Sequence, residues 1–150
     1  MTAPFQIAID CADPLLLTRF WALALGYVVE PPPSGFESWN DYYRSLGVPD
    51  DELDDAVDAA DSIVDPTGVG PRIWFQIVPE GKVVKNRLHL DVTASGGRDV
   101  AFDVRRARVS AKSAELVAAG ATRVRVESAE GVNRYTESML DPEGNEFCIH

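Results

Sequence analysis

Histidine titrates nearest to neutrality, and this chain has only two, His89 and His150. Asp91 follows His89 closely, and Glu146 and Cys148 sit just before His150. A carboxylate beside an imidazole fixes its tautomer, so His89 with Asp91 or Glu146 is a candidate general acid/base pair. Cys148 with His89 is a candidate nucleophile pair, because a nearby imidazole favours the thiolate. Each has a plainer alternative: His89 makes one hydrogen bond, and Cys148 is a small buried hydrophobe. Trp39, Tyr42, Tyr43 and Trp74 offer flat faces for a planar or cationic ligand, or simply fill a core. No Walker loop, GxGxxG, CxxC or HExxH occurs, so nucleotide-binding and common zinc-enzyme readings lack support.

These residues need elements to position them, and the pattern supplies two similar sets. Phe5 to Asp10 alternates apolar and polar residues as a half-buried strand does. Asp13 before Pro14 is a helix start, and Leu16, Leu17, Phe20, Trp21, Ala24 and Leu25 recur at helical spacing until Gly26. Tyr27 to Glu30 reads as a short strand ended by three prolines. Asp41 to Ala60 is irregular, with an acidic helix expected around Asp50 to Asp61. Ser62 to Asp65 and Arg72 to Val78 then form a hairpin around a Pro- and Gly-rich turn. The order restarts with a strand over Arg87 to Val92, with Leu88, Leu90 and Val92 on one face. A helix follows, clearest from Ala107 to Ala119, with Ala111, Ala114, Leu116 and Val117 expected to pack. Thr122 to Glu127, Arg134 to Leu140 and Glu146 to Ile149 are strands, with a turn at Asp141 to Asn145.

With 150 residues, 45% hydrophobic content and mean hydropathy of -0.11, the chain has the composition of one globular domain. Two cysteines and no signal-peptide pattern at the start lead us to expect a reduced, cytoplasmic protein. The net charge of -10 is concentrated in the first half, with a dense acidic run from Asp50 to Asp65. That field disfavours nucleic acid and anionic membrane and would attract a cationic ligand or basic partner, although such runs often serve only as solvated surface.

Asp13-Pro14 opening a helix that closes with Trp21 and Gly26, and Asp141-Pro142-Glu143-Gly144-Asn145 before the last strand, resemble the glyoxalase and bleomycin-resistance (vicinal oxygen chelate) superfamily. Asp65-Pro66-Thr67-Gly68, Arg72-Ile73-Trp74-Phe75-Gln76 and Asn86-Arg87-Leu88-His89-Leu90-Asp91 resemble its glyoxalase-like members of actinobacterial type. The resemblance implies an α+β fold of two βαβββ modules, about 1–79 and about 86–150, forming a single domain over 1–150. Their curved mixed sheets would enclose a cleft, with helices on the outer face. It also implies four metal-ligand positions, one each from the first and fourth strands of both modules, which fall on Gln6, Gln76, His89 and Cys148.

Strand alternation agrees with that placement, since each of the four lies opposite its strand's apolar set. The donor chemistry argues against a metal. Gln6 and Gln76 are weak neutral ligands, Cys148 stands where the family has glutamate, and only His89 is a good ligand. We therefore expect no cofactor and no divalent metal. The expected function is binding of a small organic molecule, by sequestration or metal-free acid/base chemistry. His89 would be the catalytic group and Gln6, Trp74, Gln76, His89, Glu146 and Cys148 the ligand contacts. The alternatives are a metal-dependent lyase or dioxygenase of the same fold, and an acidic module that docks a basic partner. The resemblance further implies a homodimer; neither nucleic acid nor membrane is expected as a partner.

Overall fold

The computed structural model describes residues 3–54, 58 and 60–150. The chain divides into two compact units, residues 1–22 with 26–79, and residues 23–25 with 80–150. Each carries one four-stranded mixed sheet, so the fold is α+β and built from βαβββ modules.

In the first unit, β1 (Ile7–Cys11) leads into α1 (Pro14–Leu25). The side chain of Asp13 accepts the Leu16 N–H at 3.0 Å, and Pro14 needs no partner at the first helical position. Gly26, at φ 71°, takes the left-handed turn that ends the helix. Leu17, Phe20 and Trp21 are buried from α1, and Ile63, Ile73 and Phe75 from the sheet. Phe20 and Trp21 meet edge to face at 5.4 Å. β2 (Val28–Val29), β3 (Ser62–Val64) and β4 (Ile73–Ile77) complete a sheet of order β1-β4-β3-β2, with β1 and β4 parallel. Strand β1 starts two residues later than its alternation suggests, and Phe5 is exposed.

The irregular segment differs from expectation. It contains a helix, α2 (Trp39–Ser45), capped by the Ser38 hydroxyl on the Asp41 N–H at 3.0 Å. Among its described residues the acidic stretch forms one 3-10 turn, at Asp50–Glu52; part of the expected helix, residues 55–57 and 59, lies outside the described residues. Nor are these acids merely a solvated face. Asp58 accepts the Asn40 N–H at 2.9 Å, Asp61 accepts from Trp74, and Asp65 accepts the N–H groups of Thr67 and Gly70 at 2.8 and 2.7 Å. Those main-chain bonds hold the Asp65 carboxyl below its ordinary range.

In the second unit, β5 is reduced to Asp91–Val92, followed by α3 (Phe102–Ala118), β6 (Thr122–Ala129), β7 (Arg134–Leu140) and β8 (Glu146–Ile149). The sheet order is β5-β8-β7-β6, with β5 parallel to β8. Arg87 to Leu90 is not a strand, and Leu88 is 89% exposed rather than sharing a buried face with Val92. The buried face of α3 is also not the one expected. Arg105, Val109, Ser113 and Leu116 are buried, whereas Ala111, Ala114 and Val117 are exposed. Apolar periodicity misses this face because half of it is polar: the helix packs over a sheet carrying the wholly buried Glu137, whose Oε1 accepts from Ser110 at 3.0 Å. Val92, Met139, Phe147 and Ile149 supply the apolar remainder. Among the described residues, no helix is long and apolar enough to cross a membrane.

Candidate functional site

Parallel pairing of β5 with β8 sets the chemistry of the second unit. Asp91 lies opposite Cys148, and Cys148 lies opposite Ser138 of β7. The segment preceding β5 brings His89 back onto its own neighbour, with Nε2 3.3 Å from Asp91 Oδ1. Donor atoms of His89, Asp91 and Cys148 all fall within 4.8 Å of one another. Ser138 Oγ lies 3.7 Å from Cys148 Sγ. An imidazole close to a carboxylate and a thiol can exchange a proton with either, and the three together form a donor set.

Glu146, the other candidate partner of His89, is engaged elsewhere. It accepts the Asn86 N–H at 2.9 Å and the Lys82 ammonium at 3.0 Å. These bonds, the Asn86 N–H foremost, lower its carboxyl to about 2. Glu146 therefore anchors the segment that leads into His89.

In the first unit, the parallel register of β1 and β4 decides which residues meet. Asp10 lies opposite Gln76 and Ala8 opposite Trp74. Gln6 precedes the strand and sits beside Arg72, whose Nη1 donates to Gln6 Oε1 at 2.9 Å. Gln6 and Gln76 are thus four residues apart along the sheet, roughly 13 Å at strand spacing, and do not converge. In the second unit, Cys148 faces the residue two beyond His89; the same offset from Gln6 gives Ala8, whose partner is Trp74. By register, Trp74 rather than Gln76 occupies the position equivalent to Cys148.

Around Trp74 the structure assembles a network that motif spacing does not reveal. Arg72 pairs with Glu30 at 2.7 Å and donates to Ser62 Oγ at 2.7 Å. Ser62 and the Trp74 indole N–H both donate to Asp61, at 2.7 and 2.8 Å. Trp39 donates to the Glu30 carbonyl at 3.0 Å and stacks on Tyr43 with centroids 5.9 Å apart. Burial, and then the Asp61 charge, raise the Tyr43 hydroxyl above its ordinary range. The one sequence signal for this network is the strand alternation that puts Arg72 on the same face as Trp74. Trp74 is held by its own polar edge, not freely packed.

Two βαβββ modules, each a four-stranded mixed sheet whose first and last strands pair in parallel, are the architecture of the superfamily of glyoxalases, bleomycin-resistance proteins and dioxygenases. The chain belongs to the family of the glyoxalase-like domain, whose model matches residues 6–150. No curated protein matches its sequence significantly. Its fold is similar to that of a glyoxalase/bleomycin resistance protein/dioxygenase family enzyme from Burkholderia phytofirmans, at 17% identity and TM-score 0.54, covering 96% of this chain and 94% of that one. It is also similar to the fosfomycin resistance protein FosX of Listeria monocytogenes, at 10% identity and TM-score 0.59, covering 100% and 93%. The oxidase ChaP-H2 matches at 14% identity and TM-score 0.50, covering 99% and 92%. At these identities the likeness is one of fold.

Proposed function

We propose that this glyoxalase-like protein binds a small oxygen-bearing organic molecule and acts on it through His89 without a metal. The observation that carries this reading is the His89 Nε2–Asp91 Oδ1 contact of 3.3 Å, with the Cys148 thiol in reach. Asp91 orients the imidazole, which takes or returns a proton at an acidic C–H or O–H, while Ser138 and Cys148 hydrogen-bond the oxygen. The family's four-position metal shell fits poorly here, because the Gln6 oxygen is engaged by Arg72 and Gln76 lies four residues further along the sheet. Neutral amides would in any case add little to a divalent ion's shell.

The test uses glycolaldehyde and hydroxyacetone as small neutral probes, followed by amide NMR. Saturable shifts at Asp91, Ser138 and Cys148 that disappear in His89→Ala are expected. A response that persists in His89→Ala would refute the assignment.

One observation favours a second reading, a metal-dependent enzyme. His89, Asp91 and Cys148 alone offer three suitable donors, the number an open catalytic zinc site uses. A structural relative, a point mutant of the L. monocytogenes FosX, is described as complexed with Mn(II). Zinc titration separates the two: tight stoichiometric binding that Cys148→Ser abolishes supports the second.

A further inference from the structure

A cavity of about 490 Å³ lies in the second unit, between the loop that follows β5 and the hairpin joining β6 to β7. Its wall includes Arg98, Arg105, Arg134 and His150, and no lining residue is acidic. In a chain of net charge -10, a cavity walled only by cations and neutral groups is opposite in sign to the protein that contains it.

Arg105 is the telling member. Only 7% of it is exposed, and among the described residues no carboxylate pairs with it. Its Nη1 donates to the Asn133 carbonyl, while its Nε is buried without a partner. Taking a guanidinium out of water without a counter-charge is costly, and buried arginines are normally matched by an anion. The other cations leave the cavity's charge in excess. Arg98 makes no ion pair among the described residues, and Arg134 shares the half-buried Glu127 with Arg125, at 3.2 Å from Arg134. Asn133 is fixed by donating Nδ2 to the carbonyls of Arg98 and Val100, at 3.0 and 3.4 Å, which leaves its buried Oδ1 without a donor. An unmatched donor charge beside an unmatched acceptor suits an oxyanion that also carries a hydroxyl.

We infer that this cavity is a binding site for the oxyanion end of a small organic anion, a phosphate ester or a carboxylate. The position deepens the function proposed above, and in this respect rests on it. Thr93 and His150 line the cavity, and each is two residues beyond Asp91 and Cys148, just past the ends of the paired strands. That is a step of about 7 Å. A ligand anchored by its charge at Arg105 lays its neutral end toward Cys148 and His89. The His150 main chain is pinned in place, donating to the Val92 carbonyl at 3.0 Å and accepting from Ala94 at 2.8 Å.

The experiment titrates the full-length protein with inorganic phosphate and, separately, with acetate, holding ionic strength with sodium chloride. It follows the Arg105 Nε–H resonance by NMR. A saturable shift with either probe is expected; phosphate as the tighter probe assigns a phosphate ester, acetate a carboxylate. Arg105 variants risk misfolding, so the exposed pair Arg98→Ala with Arg134→Ala provides the control. It should weaken binding about tenfold or more while leaving the melting temperature near that of the parent. A His89→Ala variant should bind phosphate as the parent does, so this site and the His89 assignment can fail separately. No saturable shift with either probe, or an unchanged affinity in the double variant, overturns the inference.

Discussion

Arg123→Met should be among the more damaging single changes at a half-exposed position of this protein. Its partner, Glu137, is 0% exposed, with Oε1 accepting from Ser110 at 3.0 Å and from Tyr135 at 3.1 Å. Arg123 Nε stands 2.9 Å from Oε2 as an ion pair only: its N–H donates to Ser113 Oγ at 3.2 Å, and Oε2 accepts no hydrogen bond. Removing the guanidinium leaves a buried carboxylate with only two neutral donors. Breaking a buried pair costs about 3–5 kcal/mol. The Arg123 side chain is 46% exposed, so water already screens part of the attraction and the low end applies, about 3 kcal/mol. For a chain of this size that lowers the melting temperature by about 6–12 °C. Urea unfolding of Arg123→Met, Glu137→Gln and the double variant checks it, with the double variant less destabilised than the sum of the two. A loss under about 1 kcal/mol in Arg123→Met, the range of a surface bridge, would refute the reasoning.

Glu146 gives a dependence on pH. Its folded carboxyl lies at about 2 against an ordinary 4.5, so its stabilising contribution is complete above the ordinary value and fades as pH falls toward 2. Parent protein should lose more stability than Glu146→Gln between about pH 6 and about pH 3, as read from urea midpoints. Gly70→Ala would place a Cβ 1.9 Å from the Tyr27 hydroxyl oxygen and 3.2 Å from Asp65; we expect a loss of about 1–3 kcal/mol by thermal melting. Asp61→Ala strips the acceptor from both Trp74 and Ser62 and should cost about 1–3 kcal/mol, with a changed Trp emission spectrum as the local readout.

Capping and turn chemistry were legible because they are local. Asp13-Pro14, Gly26 and the turn at Asp141 to Asn145 depend on neighbours in sequence, and all appear as read. Strands β7 and β8 match their expected bounds, since turn residues delimit them and they pair with each other. What alternation could not supply was register. Motif spacing placed Gln76 at the family's fourth-strand position of the first module, and only the pairing shows that it lies opposite Asp10 while Trp74 lies opposite Ala8. Nor could hydrophobic periodicity find α3's inner face, where Arg105 and Ser113 stand in place of apolar residues. Asp91 was visible as a partner for His89 but not as the chosen one; Glu146 is removed from contention by Lys82 and Asn86, whose approach is a matter of tertiary structure.

The most direct test of the central claim is the metal content of the purified protein by elemental mass spectrometry, with melting temperatures before and after EDTA. Substoichiometric metal and a melting temperature that EDTA leaves unchanged are expected, because Gln6 and Gln76 are weak neutral ligands and the Gln6 oxygen already accepts from Arg72. One zinc, nickel or iron per chain, lost in Cys148→Ser, would contradict it.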